Sequence, residues 1–385
     1  RRKAHPPKPY SLADIQIEAS KRFGMTAENT LKVCQSLYEV RKITSYPRTD
    51  CGYLPESQHA DAPAVLAAVA HNFPAAAPAC AKADPKLKSP AFNDKKVTAH
   101  HGIVPVANTI DPSALTREEA DIYRLIVRRY IAQFFPVHEF DATEVTLDIG
   151  GETFAAKGKV VRVEGWKILF EKDRRAIEEK KKKRPKAQAA EGEGGADTDD
   201  GDDAQTLPPL KKGDVCDVAA VKGREDKTKP PQFFTEGTLI AAMENIWRSF
   251  DDPKGQAMLK EAGGIGTPAT RAAIIKDILD SGYIEEKKSG LYITAKGKSY
   301  IDAVKDFDIA YPVFAADMDN NIKKVQRGEA EYEQVMNEVL EKLQEMCQKI
   351  GQDPAEVEAE LASFEPVQTD IRCIKCGGVM EEQKK

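Results

Sequence analysis

The sequence predicts an α+β chain of several domains, with helix-turn-helix units joined by an antiparallel β segment. Three observations predict it. Two short capped helices with a glycine between them lead into the extended run "ITSYPRTD". A period-two stretch near residues 140–170 interrupts the helical periodicity. A second helical pair near residue 265 is followed by a hairpin pattern. At 385 residues the chain has length for two to four domains and more than one core.

Ser11 with Asp14 three residues on is a capping box, which predicts a helix to about Phe23 closed by Gly24. Thr26 caps a second helix to about Val40, with Leu31, Cys34, Leu37 and Tyr38 on one face. Residues 53–135 read as mostly helical, broken by a Pro/Ala-rich loop at 74–92 and ending in a clear helix from Thr116 to Phe135. From Phe140 to Phe170 apolar and polar residues alternate around a Gly150-Gly151 turn. A basic then acidic low-complexity run, 173–209, reads as a disordered insertion, after which strand-like sequence resumes at "GDVCDVAAV". "TEGTLIAAMENIW" predicts a helix, and so does "GIGTPATRAAIIKDILDSGYI", with Thr267 as cap, Pro268 at the first helical position and Gly282 as the stop. The strand–turn–strand pattern of "YIEEKKSGLYIT" then gives a winged-helix arrangement, closed by helices near 313–328 and 329–350.

The composition, 41% hydrophobic and 31% charged, fits a soluble globular chain, and no apolar run approaches the ~20 residues of a membrane span. The opening "RRKAHPPKPY" has neither an initiating Met nor the apolar core of a signal peptide, so the chain is expected to be a fragment of a longer protein. Seven irregularly spaced cysteines point to free thiols in a reducing cytosol. The net charge of −5 is dominated by seven acids between Glu191 and Asp203, and without them the remainder carries +2. Residues 1–60 hold ten Lys/Arg against six Asp/Glu, so the start of the chain leans basic.

Proline holds the preceding residue in extended geometry, where side chains at i and i+2 face the same way. Tyr46 and Arg48 are therefore expected to project together. A phenol is a poor nucleophile near neutral pH, and a guanidinium beside it stabilises the phenolate and grips a phosphate in a bidentate fork. That layout suits phosphoryl transfer onto a tyrosine. A polar turn with Tyr46 packed and Arg48 on the surface fits the same residues. His100-His101 in "TAHHGIVP" is a poor metal pair, but one ring can reach a phosphate; an ordinary loop histidine is the alternative. Thr267, Thr270 and Arg271 surround a helix start, a favourable phosphate position, although capping alone accounts for Thr267. Cys373-x-x-Cys376 is half of a zinc-ribbon pattern, and a second pair is due about 15–20 residues on. The chain ends nine residues after Cys376, so tight Zn²⁺ binding is not expected here. "GLYITAKGKS" is no phosphate loop, because six residues rather than four separate Gly290 from Gly297. The acid pairs in "DFD" and "DMD" read as solvated faces.

Taken in order, "ITSYPRTD", "AHHGIVP", "FTEGTLIAAMENI", "GIGTPATRAAIIKDILDSGYI" and "CIKC" resemble the motifs of the type IA DNA topoisomerases, most closely the bacterial topoisomerase III branch. The resemblance implies winged-helix (CAP-like) helical domains joined by a β arch, as part of a toroid. It implies an active-site domain at 1–135, the arch at 136–233, a winged-helix DNA-binding domain at 234–352, and a linker with a truncated zinc-ribbon start at 353–385. It implies ATP-independent cleavage of one strand by Tyr46 through a 5′-phosphotyrosine, strand passage and religation. Arg48 and His101 would act at the scissile phosphate, and Lys8, Thr267, Thr270 and Arg271 would contact the strand. The family's Toprim domain, with its Mg²⁺ site, precedes the matched segment, so this chain is expected to be weak or inactive alone. The expected partner is single-stranded DNA, with no membrane, for a cytoplasmic monomer. A non-catalytic single-stranded DNA-binding winged-helix module is the alternative. A tyrosine recombinase would instead place its tyrosine near the C-terminus.

Overall fold

The computed structural model describes residues 1–171, 206–223, 225, 228, 230–288, 290–350, 367–372 and 379–382. These form two compact units, one of residues 1–241 with 268–273, the other of 242–267 with 274–385.

In the first unit, helix α1 (Leu12–Phe23) starts where the Ser11 hydroxyl accepts from the Asp14 amide and the Asp14 carboxylate reaches back to Ser11. Gly24, left-handed, closes it, and Thr26 caps α2 (Ala27–Gln35). The continuation to Val40 is a π-helical turn, Ser36–Val40. Such wide turns recur next to functional sites. Helices α3 (Ala62–Asn72), α4 (Ala77–Lys82) and α5 (Arg117–Ala132) complete the helical set. Leu12, Ile15, Cys34, Leu37, Ile43, Leu54, Val69, Ile122 and Phe134 are fully buried in one core drawn from all these segments except α4. Burial pushes the Cys34 thiol up to about 12.

Strand β1 (Arg2–Ala4) pairs with β2 (His138–Ile149), which forms a long antiparallel hairpin with β3 (Glu152–Val163). Gly150 and Gly151, at φ +65° and +89°, make the tight turn that a side chain would strain. The base of the hairpin is the best anchored, with His138 and Phe140 buried, whereas further out one face, with Val145, Leu147 and Ile149, is only half-buried and the other is exposed.

Several expectations are corrected. The Pro/Ala-rich segment is partly helical, with a 3₁₀ turn at Pro74–Ala76 and then α4, because the prolines lie at helix starts where no amide is needed. Residues 84–116 are mostly irregular rather than helical. Gly165–Phe170 is a 3₁₀ turn and not strand, pinned by Trp166, whose ring N–H donates to the Ala4 carbonyl. Residues 213–221 form no strand: Val215, Val218 and Val221 are exposed, and alternation without a pairing strand does not make a sheet. Most of the proposed insertion, 172–205, lies outside the described residues.

Helix α6 (Glu236–Glu244) belongs partly to the first unit, where the Glu236 carboxylate accepts from the Ala27 amide at the start of α2. In the second unit, α7 (Pro253–Ala262) packs beside α10 (Pro312–Gln326), with Asn320 donating to the Met258 carbonyl. Helix α8 (Arg271–Asp280) leads to the hairpin β4 (Ile284–Lys287) and β5 (Gly290–Ile293). It starts later than expected: Pro268–Thr270 form a turn, and Thr267 lies ahead of it. Helices α7 and α9 (Ala295–Val304) were not anticipated; α9 occupies the stretch rejected as a phosphate loop, capped by Thr294. Helix α11 (Tyr332–Ile350) follows. Strands β6 (Val367–Arg372) and β7 (Val379–Glu382) pair on either side of residues 373–378, so Cys373 and Cys376 lie outside the described residues.

Candidate active site

The Tyr-Pro-Arg segment is held from behind. Ile43 N donates to the Leu37 carbonyl at the end of the π turn, and Val106 N donates to Ile43 O. Ser45 N donates to Val104 O, while the Ser45 hydroxyl accepts from Val104 N and donates to Gly102 O. Thr49 Oγ1 donates to His100 O, and Thr49 O accepts from the Leu12 amide at the start of α1. With Thr49 N donating to Pro47 O in a tight turn, these bonds satisfy the backbone of a segment whose one ladder contact among the described residues is the isolated bridge Thr44–Pro105.

The consequence is alternation. Ser45, Pro47 and Thr49 face the core; Tyr46, Arg48 and Asp50 face out. Tyr46 is 36% exposed, and its ring lies between Tyr38, edge-on at 5.5 Å, and His100 at 4.7 Å. Among the described residues nothing hydrogen-bonds the Tyr46 hydroxyl or ion-pairs with Arg48. The phenol and the guanidinium are both open to solvent, with buried Pro47 between them.

The histidine assignment changes. His101 is half-buried; its Nδ1 lies 2.8 Å from the Gly102 carbonyl and its Nε2 2.9 Å from Gln58. With Nδ1 protonated, both contacts are satisfied. His100, exposed and stacked on Tyr46, is the histidine next to the phenol. Neither spacing nor motif separates adjacent histidines, since a turn decides which one faces the site.

Lys8 is exposed and its ammonium lies 4.5 Å from the centre of the Tyr53 ring. Arg271 is 2% exposed, so its guanidinium faces protein; Thr267 and Thr270 lie ahead of α8. The structure thus brings His100 against Tyr46 and leaves Arg48 exposed two residues on, while the contacts of His101 are to Gln58 and Gly102.

Behind the site, Glu119 ties α5 to the π turn. Its carboxylate accepts from Arg41 Nε and Nη2 at 3.0–3.2 Å, from Ser36 Oγ at 2.7 Å and from the Thr116 amide at 2.8 Å. Burial alone would raise its pKa, but the Arg41 and Ser36 hydrogen bonds outweigh burial and hold it at about 2. The sequence shows Glu119 as a capping-box acid, but not its second role as anchor for Arg41.

Among the described residues no three His, Cys, Asp or Glu side chains stand close enough to hold a metal ion. They do not fit a Mg²⁺ centre, and no step is assigned to one. An exposed phenol against an imidazole, with an exposed guanidinium two residues on, supplies the group types that nucleophilic attack on a phosphodiester needs. No described helix is long and apolar enough to cross a membrane.

The chain is similar to known proteins over most of its length. A family model described as DNA topoisomerase matches residues 1–337. DNA topoisomerase 3 of Pasteurella multocida is 34% identical over 349 residues, 90% of this chain and 49% of that protein. The Vibrio cholerae DNA topoisomerase 3 is 33% identical, over 91% of this chain and 50% of its own length. The chain thus spans about half the length of the curated relatives it matches. The fold is similar to full-length topoisomerase I from Thermotoga maritima, with TM-score 0.58 and 20% identity, covering 99% of this chain and 54% of that one. The match over residues 1–337 contains the whole Tyr46 site, and this chain belongs to the DNA topoisomerase family, with the type IA fold.

Proposed function

We propose that this chain is the tyrosine-bearing part of an ATP-independent type IA topoisomerase acting on single-stranded DNA. The observation that carries the reading is that Tyr46 and Arg48 are both exposed on either side of buried Pro47, with the His100 ring against the phenol. In this reading the Tyr46 oxygen attacks a phosphodiester. A Tyr–O–P bond forms to the 5′ phosphate, the P–O3′ bond breaks, and the leaving oxygen takes a proton to become a 3′ hydroxyl. Arg48 holds the non-bridging oxygens, and His100 takes the place first expected for His101. The phosphotyrosine conserves the bond energy, so religation is the same exchange reversed.

In the same reading 1–135 is the active-site domain, the β2–β3 hairpin is the arch of 136–233, and helix α8 with its β4–β5 hairpin is a winged helix in 234–352. Thr267 and Thr270 contact the strand ahead of α8, with Arg271 supporting them from within. Mg²⁺ enters with a Toprim domain, and Cys373 and Cys376 form half of a Zn²⁺ site completed further along the tail. The protein works as a cytoplasmic monomer.

The test is to incubate the chain with end-labelled single-stranded DNA and Mg²⁺, with and without a separately supplied Toprim domain, and to look for a denaturant-resistant adduct. The expected result is an adduct that needs the Toprim domain and disappears in Tyr46→Phe. An adduct that survives Tyr46→Phe removes the assignment.

A further inference from the structure

The surface beyond the Tyr46 site carries an arrangement that the reaction just described does not use. Two ammonium groups gather on one aromatic ring: Lys8 Nζ lies 4.5 Å from the centre of the Tyr53 ring and Lys96 Nζ 5.1 Å from it, with Lys96 also 3.5 Å from the Tyr53 hydroxyl. Each contact is a cation–π interaction worth about 0.5–1 kcal/mol at an exposed site. Among the described residues neither lysine forms an ion pair with a carboxylate. Two like charges held at one ring, without a counter-charge from the protein, make a receptive place for an anion.

The backbone that presents these groups is rigid. Gly52 and Gly102 lie so close to Pro9 that an added Cβ would stand 2.9 Å from the Pro9 carbonyl oxygen and 2.9 Å from Pro9 Cβ respectively. Ile103 N donates to Tyr10 O, and Gly102 N to Tyr53 O, both at 2.8 Å. From α5, Arg129 donates to the Lys8 carbonyl at 3.2 Å and packs its guanidinium 3.5 Å from the centre of the Tyr10 ring, while Gln133 donates to the Pro7 carbonyl at 2.8 Å. Three segments, 7–10, 51–54 and 100–103, are therefore stitched together with their cations outward.

The place continues the Tyr46 face. Thr98 donates to the Asp50 carboxylate, Thr49 to the His100 carbonyl, Gly102 N to Tyr53 O and the Ser45 hydroxyl to Gly102 O, so the segment carrying Tyr53 lies beside the one carrying Tyr46. Asp50 is the one acid facing out between Arg48 and Tyr53. Seven residues from Tyr46 to Tyr53 span at most ~25 Å, which a few nucleotides of an unpaired strand cover.

We propose that Lys8 and Lys96, aimed by the Tyr53 ring, clamp a backbone phosphate of the same single strand a few nucleotides from the scissile bond. This rests on the reading of Tyr46 as nucleophile. The clamp is a positioning subsite: it neutralises phosphate charge and fixes strand register, and takes no part in the bond exchange.

The test uses the chain with its Toprim partner and two series of single-stranded oligonucleotides, one shortened stepwise from each end and one with a single neutral methylphosphonate linkage moved along the strand. Each phosphate contact to a single strand contributes ~0.7 to the log–log salt slope, or about eightfold in affinity at ~50 mM salt when carried to 1 M. Lys8→Ala/Lys96→Ala, which releases that one phosphate, is expected to lower the slope by about 0.7 and the affinity at ~50 mM salt by about eightfold. One methylphosphonate position should weaken the wild type markedly and the double variant not at all. Tyr53→Leu should reproduce much of the loss, and Tyr53→Phe little of it. On strands too short to reach the clamp, wild type and double variant should bind and form adduct alike. If the wild type forms adduct but the double variant keeps the wild-type slope, or loses affinity equally at every linkage and length, the clamp is overturned and the Tyr46 reading stands. If no adduct depends on Tyr46, the reading beneath it has failed instead.

Discussion

Glu119→Gln tests whether the acid behind the site holds the segment that carries Tyr46. The wild-type carboxylate is 5% exposed and titrates at about 2 against an ordinary 4.5, while its partner Arg41 is 27% exposed. A depression of that size corresponds to at most about 3 kcal/mol of stability, and the partly open Arg41 side brings the expectation to about 2 kcal/mol. Because the folded value lies below the unfolded one, the stabilisation is complete above pH 4.5 and is lost as pH falls from there through about 2. The amide introduced by Glu119→Gln would keep the size and some hydrogen bonds but no charge, so the variant's stability should not show that acid-dependent loss. The chain has two tryptophans, of which Trp166 lies in the same unit as Glu119 and Trp247 in the other. Urea unfolding read by Trp166 fluorescence in a Trp247→Phe background therefore reports the relevant unit. The gap between wild type and Glu119→Gln should be about 2 kcal/mol at pH 7 and under about 1 kcal/mol near pH 2.5. An equal gap at both pH values, or none at pH 7, would refute the electrostatic account of this strut.

With the Toprim partner present, His100→Ala should slow adduct formation by about 10²-fold or more, while His101→Ala should act mainly through the lost Gln58 contact and slow it far less. The reverse order would return the role to His101. Gly52→Ala should destabilise the first unit by about 1–3 kcal/mol in the same urea assay, because its Cβ would sit 2.9 Å from a backbone oxygen and 3.3 Å from Lys8 Cβ. Thiol labelling followed by peptide mapping should find exposed Cys216 modified at once and Cys34, fully buried with its thiol pushed up to about 12, modified only on unfolding.

Much of the local structure is legible in the chain itself, because its causes are local. The Ser11–Asp14 and Thr116–Glu119 boxes start their helices where expected, Gly24 ends the first, and Gly150-Gly151 turns the long hairpin. The exposure of Tyr46 and Arg48 around buried Pro47 is legible in part, but the tight turn in which Thr49 N donates to Pro47 O is not the extended pleat the proline suggested. Where strand-like sequence misled, tertiary context was the missing factor: Val215, Val218 and Val221 are exposed and in no strand, and Trp166 turns its segment by bonding Ala4, far away in sequence.

By itself the amino-acid order determined the capped helices and the hairpin turns, since each needs only neighbours within a few residues. The tertiary structure alone decided that His100 rather than His101 meets Tyr46, that Glu119 braces Arg41, that Arg271 is buried, and that Lys8 and Lys96 converge on Tyr53. Those pairings join residues from 43 to 88 positions apart, or depend on which side of a turn a side chain leaves, and only the packing of the segments sets either.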